Sequence, residues 1–188
     1  MIEVKKRRKQ AVTNYRKRIK LLKSGLPIVT VRKSNKNIIM QIRQYDTKGD
    51  KITLSVISKK LEDFGWNPKS NIPTAYLTGL LLAKELKSKN SELLSKKFVL
   101  DIGLYRPTKN SVVFAAAKGA IDNGLNILSN ISFDEDRLRG KSILEYANKM
   151  SAENQNKFAV HFSSYNTKNI DVKQLDKLFE QIKQKLSG

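Results

Sequence analysis

Among the residues whose type and spacing invite chemistry, the carboxylates come first. Asp101, Asp122 and Asp134 are the acids that a two-metal nuclease on a small mixed sheet would use. Such a centre needs three or four converging carboxylates to hold two cations about 4 Å apart. Asp101 lies inside an apolar run, and Asp122 precedes Asn123-Gly124 in the manner of a helix terminus. Metal-dependent cleavage therefore stands as the alternative reading. Gly140-Lys141-Ser142 ends like a phosphate-binding loop, but that motif needs a glycine where Glu135 stands and an apolar strand where Asp134 to Asp136 run. It reads as a loop tripeptide beside a helix. His161, the single histidine, sits in Phe158-Ala159-Val160-His161-Phe162 and reads as a hydrogen-bonded structural residue. No serine carries the glycine pattern of a nucleophile elbow. Without cysteine there is no thiol chemistry, disulfide or Cys-ligated metal. No catalytic residue, metal ligand or cofactor is assigned.

Cation is what the chain has in excess. Its 188 residues include 37 Lys and Arg against 17 Asp and Glu, a formal net charge of +20. That balance implies a polyanionic partner, with nucleic acid the default. A membrane surface would demand a lipid site or an apolar-faced helix as well. No apolar stretch approaches the ~18 residues of a membrane span, and no signal-peptide pattern opens the chain, so the expectation is a soluble, cytoplasmic protein.

Residues 5–23 hold ten basic residues and no acid. Lys5, Lys6, Arg7, Arg8 and Lys9 form an unbroken pentad that repels itself and extends without a counter-charge. From about Gln10 the pattern turns helical, with Val12, Tyr15, Ile19 and Leu22 as an apolar stripe expected to pack against the body. Arg16, Lys20 and Lys23 share an adjacent face, Lys17 projects roughly opposite the stripe, and Ser24-Gly25 ends the helix. Ten cations on an arm and a helix read as nucleic-acid contact rather than a merely solvated face.

The elements that must position this arm follow. Leu26 to Arg32, Ile38 to Tyr45 and Lys51 to Ile57 alternate apolar and polar residues as half-buried strands do. Ser34 to Asn37 and Thr47 to Asp50 have hairpin-loop composition, giving a three-strand meander. A buried helix is predicted over Pro73 to Ser88, with Gly79 reserved for close backbone packing. Phe98 to Leu104 reads as a central strand covered on both faces. Ser111 to Asn123 reads as a small-residue helix with Gly124 after its end. The order β-β-β-α-β-α means a mixed sheet with packed helices. Beyond Ile131 the chain becomes helical to about Met150. A last helix opens at Asp171 and Gln174 and is lined by Val172, Leu175, Leu178, Phe179, Ile182 and Leu186. Aromatic residues are scattered, so no strand carries the paired rings of an RNA-stacking sheet.

Several blocks together resemble a known family. They are Asn14-Tyr15-Arg16-Lys17-Arg18, Leu21 to Pro27, Val31 to Asn35, Gly49-Asp50, Gly65-Trp66, Asn71 with Pro73 to Gly79, Leu100 to Leu104, and Val113-Phe114-Ala115 with Lys118-Gly119. Gln41, Asp122, Gly124-Leu125, Arg137 and Gly140 also fit. In this the chain resembles the archaeal-type large-subunit ribosomal protein L-eighteen family, called L-five in eukaryotes, which binds 5S ribosomal RNA. Ile28, Asn37 and Leu128-Ser129 depart from its pattern.

The resemblance implies an α/β protein with a mixed sheet and helices on both faces, a ribonuclease-H-like three-layer body without catalysis. It implies three parts: a basic RNA-binding arm and helix (1–25), an α/β core (26–130) and a helical C-terminal extension (131–188). The implied role is to bind 5S rRNA and anchor it to large-subunit rRNA in the central protuberance, beside neighbouring ribosomal proteins. The RNA-facing residues it implies are Lys5, Lys6, Arg7, Arg8, Lys9 and Lys20 of the basic arm, with Asn14, Tyr15, Arg16, Arg18, Arg32, Ser34, Asn35, Asn71 and Tyr76. A nuclease on the same sheet type, or a general nucleic-acid binder, remains the alternative.

Overall fold

A computed structural model describes residues 9–168 and 170–187. Lys5 to Arg8 of the basic pentad lie outside the described residues. Three strands, β1 (Ile28–Lys33), β2 (Ile38–Gln44) and β3 (Lys51–Ile57), form the predicted antiparallel meander. A fourth, β4 (Val99–Asp101), pairs parallel to β1, so the order across the sheet is β3-β2-β1-β4. Beyond β4 a single parallel bridge joins Phe98 to Ile127. β4 thus lies outside β1 in the sheet, and the expectation of a central strand over Phe98 to Leu104 is corrected in both place and extent. The apolar run there outlasts its pairing, because the Asp101 carboxylate accepts the Gly103 N–H at 2.8 Å and Gly103 turns the chain at φ +66°.

Strand register separates two unlike faces. Val29, Val31, Met40, Ile42, Leu54 and Val56 share one face and are fully or nearly fully buried. Against them pack the helices α2 (Ile72–Lys89) and α4 (Val112–Asp122), with the short α3 (Ser91–Leu94) between them in the chain. Asn71 starts α2 by accepting the Thr74 N–H at 3.1 Å. A Cβ on Gly79 would lie 2.0 Å from the Ala116 carbonyl oxygen, and one on Gly119 2.1 Å from that of Tyr76. The two helices therefore cross backbone to backbone, the close approach for which only glycine has room.

After residue 130 come α5 (Glu135–Arg139), α6 (Lys141–Glu153), α7 (Gln155–His161), α8 (Ser163–Asn166) and α9 (Leu175–Ser187). Asp171 caps the approach to α9 through the Lys173 N–H, and Leu175, Phe179, Ile182 and Leu186 bury themselves against α2. Phe179 meets Trp66 edge-on at 6.3 Å. Leu138, Phe162, Tyr165 and Phe179 join one continuous apolar core with the sheet and α2. Gly140, at φ +86°, links α5 to α6, and Lys141 and Ser142 already belong to the first turn of α6, which corrects the reading of the tripeptide as a loop. Among the described residues no helix is long and apolar enough to cross a membrane.

The other sheet face carries Thr30, Arg32, Gln41, Arg43 and Asp101, and over it lies α1 (Tyr15–Lys23). The helix begins at Tyr15 rather than near Gln10, because the Asn14 side chain accepts the Lys17 N–H at 3.1 Å and Ala11 adopts φ +53° just before it. Its orientation corrects a second expectation. Tyr15 and Leu22 of the apolar stripe are half-buried, but Val12 and Ile19, 51% and 53% exposed, do not seat the helix. Asn14, Lys17, Arg18 and Leu21 do.

Candidate nucleic-acid interface

The seat of α1 is a chain of alternating charge. Arg18 Nη2 donates to Asp50 Oδ1 at 2.8 Å, and Arg43 Nη1 donates to Asp50 Oδ2 at 2.9 Å. The other arm of Arg43 reaches across β1 to Asp101 Oδ2 at 2.8 Å, where Arg32 Nη2 also donates at 2.7 Å. Arg32 Nη1 adds bonds to the carbonyls of Val31 and Asp101, both at 2.9 Å. Lys17 Nζ fixes the helix to the Gly103 carbonyl at 3.0 Å. Gly103 is required twice: its φ is positive, and a Cβ there would lie 3.0 Å from the Arg32 guanidinium carbon.

Burial pushes the Asp101 carboxyl up, but the hydrogen bonds from Arg32 and the Gly103 N–H, with the charges of Arg32 and Arg43, outweigh it. Its pKa lies below the ordinary aspartate value. Asp101 is thereby held ionised between two arginines. Asp122 stands on the far side of the sheet, taking the Tyr76 hydroxyl at 3.0 Å and Lys118 Nζ at 2.7 Å. Asp134 caps α5 through the Asp136 N–H. The three acids considered for metal chemistry thus do not converge. Among the described residues no group of three or more acids or histidines is placed to hold a metal ion.

His161 is corrected as well. It is exposed at the end of α7, and its partners are rings: Tyr146 at 5.5 Å and Phe162 at 5.1 Å. Its expected hydrogen bond is missing among the described residues because Val160 and His161 both lie on the outer side of α7.

The residues proposed for RNA contact divide into groups. Arg16, Lys20 and Lys23 point away from the body, surround Ile19, and have no ion pair among the described residues. Lys9 is exposed, and Tyr15 is half-buried. Asn14 and Arg18 are spent on capping and docking α1, and Arg32 on Asp101, although its side chain stays 41% exposed. Ser34 and Asn35 form the exposed β1–β2 turn with Lys36, and Ser70 Oγ steadies it by donating to the Ser34 carbonyl at 2.7 Å. Nearby, the Tyr105 hydroxyl donates to the Lys33 carbonyl. Asn71 caps α2. Tyr76 is 2% exposed on the helical side of the sheet, remote from α1. Burial first, and then the Asp122 carboxylate, hold its hydroxyl protonated well above the usual phenol range.

Sequence reasoning missed Arg43 and Asp50, which seat α1, and Lys17 as a docking group. Strand parity was the available signal, since Arg32 and Arg43 both occupy outward positions. Between α1, the floor of Arg32, Arg43 and Asp101, and the wall of Leu104 and Tyr105 lies an open cleft of about 580 Å³. Its lining carries four cations, Lys17, Arg18, Arg32 and Arg43, against one carboxylate. Such a surplus of cation attracts phosphate.

A family model described as "Ribosomal large subunit proteins 60S L5, and 50S L18" matches residues 2–96 and 87–130, well over half of the sequence. The chain belongs to this family. It is therefore a large-subunit ribosomal protein and an RNA-binding one, from a family that is generally structural. The match takes in the arm, α1, the whole sheet and α4, and ends before α5.

Proposed function

We propose that this large-subunit ribosomal protein binds 5S rRNA and anchors it to the large-subunit rRNA of the central protuberance in the cytoplasmic ribosome, without catalytic activity. The single observation that carries this is the pose of α1. Its docking face is consumed by Asp50 and the Gly103 carbonyl, so Arg16, Lys20 and Lys23 are left for an outside anion. The arm before it, with Lys5, Lys6, Arg7, Arg8 and Lys9, would continue the same basic track. Lys33, Ser34, Asn35 and Lys36 would add a second contact, with phosphates supplying most of the affinity and turn residues the register.

In this reading residues 1–25 are the RNA-binding part, 26–130 the scaffold and 131–188 the extension toward neighbouring ribosomal proteins. The strand order, with β1 and β4 parallel and a further parallel bridge at Ile127, supports relating the body to the ribonuclease-H-like sheets. Two arginines on Asp101 support a structural rather than a metal-binding use of that carboxylate.

The test is binding to 5S RNA, to an unrelated folded RNA of equal length and to duplex DNA at physiological salt. A preference for 5S RNA of about a hundredfold, some 2.7 kcal/mol, is expected. Equal affinity for all three would leave only a general polyanion binder and would sink the proposal.

A further inference from the structure

The helices after residue 130 differ in charge from everything before them. Residues 1–130 carry 27 basic and nine acidic residues, whereas 131–188 carry ten basic and eight acidic, so the extension holds only +2 of the +20. Four of its cations are moreover paired with acids: Arg139 with Glu180, Lys141 with Asp136, Lys149 with Glu153 and Lys168 with Glu62. A phosphate-binding surface needs cations in surplus, and this one has almost none.

What the extension offers instead is apolar. Met150 of α6 and Asn156, Lys157, Val160 and His161 of α7 line an open hollow of about 420 Å³. Val160 is 78% exposed, the most of any large apolar side chain among the described residues, and Tyr146, in ring contact with His161, is 47% exposed. The wall is rigid. Tyr146 packs edge-on against His161, which packs on Phe162, which in turn meets Tyr165 at 6.1 Å. Phe162 and Tyr165 are buried, and Asn67 ties α8 to the body by donating to the Ser164 carbonyl at 3.1 Å. A preformed apolar hollow on an anchored aromatic wall, with Lys157 at its rim and no acid paired to it among the described residues, has the anatomy of a protein-docking core. It also lies outside the segment that the family model matches.

We infer that this hollow receives a neighbouring polypeptide of the large subunit, which inserts one large aliphatic or aromatic side chain against Val160 and Met150 and sets an acidic group against Lys157. The inference rests on the ribosomal reading above. Near-neutral charge selects a protein over RNA as the occupant, and the hollow has room for one or two large side chains but offers no cationic track for a backbone of phosphates.

Because the chain has no cysteine, Val160→Cys provides a unique thiol at an exposed position. Its maleimide labelling is measured in the free protein, in the complex with 5S RNA, and in large subunits purified from cells carrying only this variant. Labelling is expected to be equal in the first two and at least tenfold slower in the subunit. A benzophenone maleimide on the same thiol should give a ribonuclease-resistant cross-link to a polypeptide. Full labelling in the subunit, or a ribonuclease-sensitive cross-link, overturns the inference. Hydroxyl-radical oxidation of Met150 in the unmutated chain, free against assembled, probes the same burial without a substitution. A chain that never sediments with the large subunit removes the ribosomal reading, and this inference falls with it. A chain that does sediment there with an open hollow removes the inference alone.

Discussion

Replacing Asp101 by Asn tests both the seat of α1 and the nuclease alternative. The carboxylate accepts from Arg32 at 2.7 Å, from Arg43 at 2.8 Å and from the Gly103 N–H at 2.8 Å, and its side chain is only 7% exposed. Both guanidinium bonds share Oδ2 and the Gly103 bond falls on Oδ1, so an amide keeps one set or the other, loses the charge, and turns its NH2 toward whichever donor is left. Removing one partner of a buried ion pair costs about 3–5 kcal/mol. The low end applies here, because the Arg32 side chain is 41% exposed and open to water, whereas that of Arg43 is only 17% exposed. The expected loss is about 3 kcal/mol, which lowers Tm by about 6–12 °C in a chain of this size.

The assay is urea unfolding followed by circular dichroism from pH 3 to 7. The folded-state pKa of Asp101 is depressed, so its contribution is complete above the ordinary aspartate value of about 3.9 and is lost as pH falls through the folded value. The wild-type protein should therefore lose stability below about pH 4 more steeply than Asp101→Asn, and the two curves should converge in acid. A loss under about 0.5 kcal/mol at pH 7 would refute the reasoning, since that is the scale of an ordinary surface substitution. Magnesium-dependent cleavage that vanishes in a fully stable Asp101→Asn variant would instead favour the nuclease.

Three further outcomes follow from the geometry. Gly79→Ala or Gly119→Ala must push a methyl into a backbone carbonyl about 2 Å away, and should cost about 3 kcal/mol by thermal melting, although each glycine is interior to a helix where Ala is intrinsically favoured. Asn123→Leu removes bonds from its amide to the Leu80 and Leu186 carbonyls at 2.9 and 3.1 Å. About 2 kcal/mol should be lost, with earlier exchange of α9 amides than of the sheet in hydrogen-exchange experiments. Removing Arg16, Lys20 and Lys23 together should weaken 5S RNA binding and reduce its salt slope by about 2, three cations at roughly 0.7 each. It should leave Tm within about 2 °C, whereas Arg18→Ala should lower both stability and binding.

The sheet and its two principal helices were legible because their signals are local. Alternation marks β1, β2 and β3, and the buried helix and small-residue helix announce themselves by composition within twenty residues. The length of β4 was not legible, because Ile102 and Leu104 continue the apolar run after pairing has stopped at Asp101. The candidate interface was half legible. Cation density located α1 and its exposed residues. The partners that fix its pose were invisible, since Arg18 to Asp50 spans 32 residues and Arg43 to Asp101 spans 58, and no periodicity reports such pairs. Tyr76 and Asn71 show structural uses that the sequence did not separate from RNA contact. A family position can be kept for capping a helix or filling a core, and only burial separates that use from contact with RNA.

Why Lys17 and Arg18, rather than Val12 and Ile19, seat α1 on the body can be argued from magnitudes. Turning the stripe toward the body would bury Val12 and Ile19 more fully, worth at most about 1.5–3 kcal/mol each and about half that from their present exposure. It would also take Arg18 from Asp50, a carboxylate only 13% exposed, and withdraw Lys17 from the Gly103 carbonyl. Asp50 would keep Arg43, but each of the two lost bonds involves a charged group and is worth about 1.5–3 kcal/mol, so together they outweigh the apolar gain and the charged pose wins. The consequence lies at the outer surface. Ile19 is left among Arg16, Lys20 and Lys23, an apolar contact inside a triangle of cations. In the proposed RNA complex, phosphates would satisfy the corners, and ribose and base surface would cover the centre. Ile19→Ala should therefore weaken RNA binding while leaving its salt dependence unchanged, and a change in slope instead would show that the substitution had moved the helix.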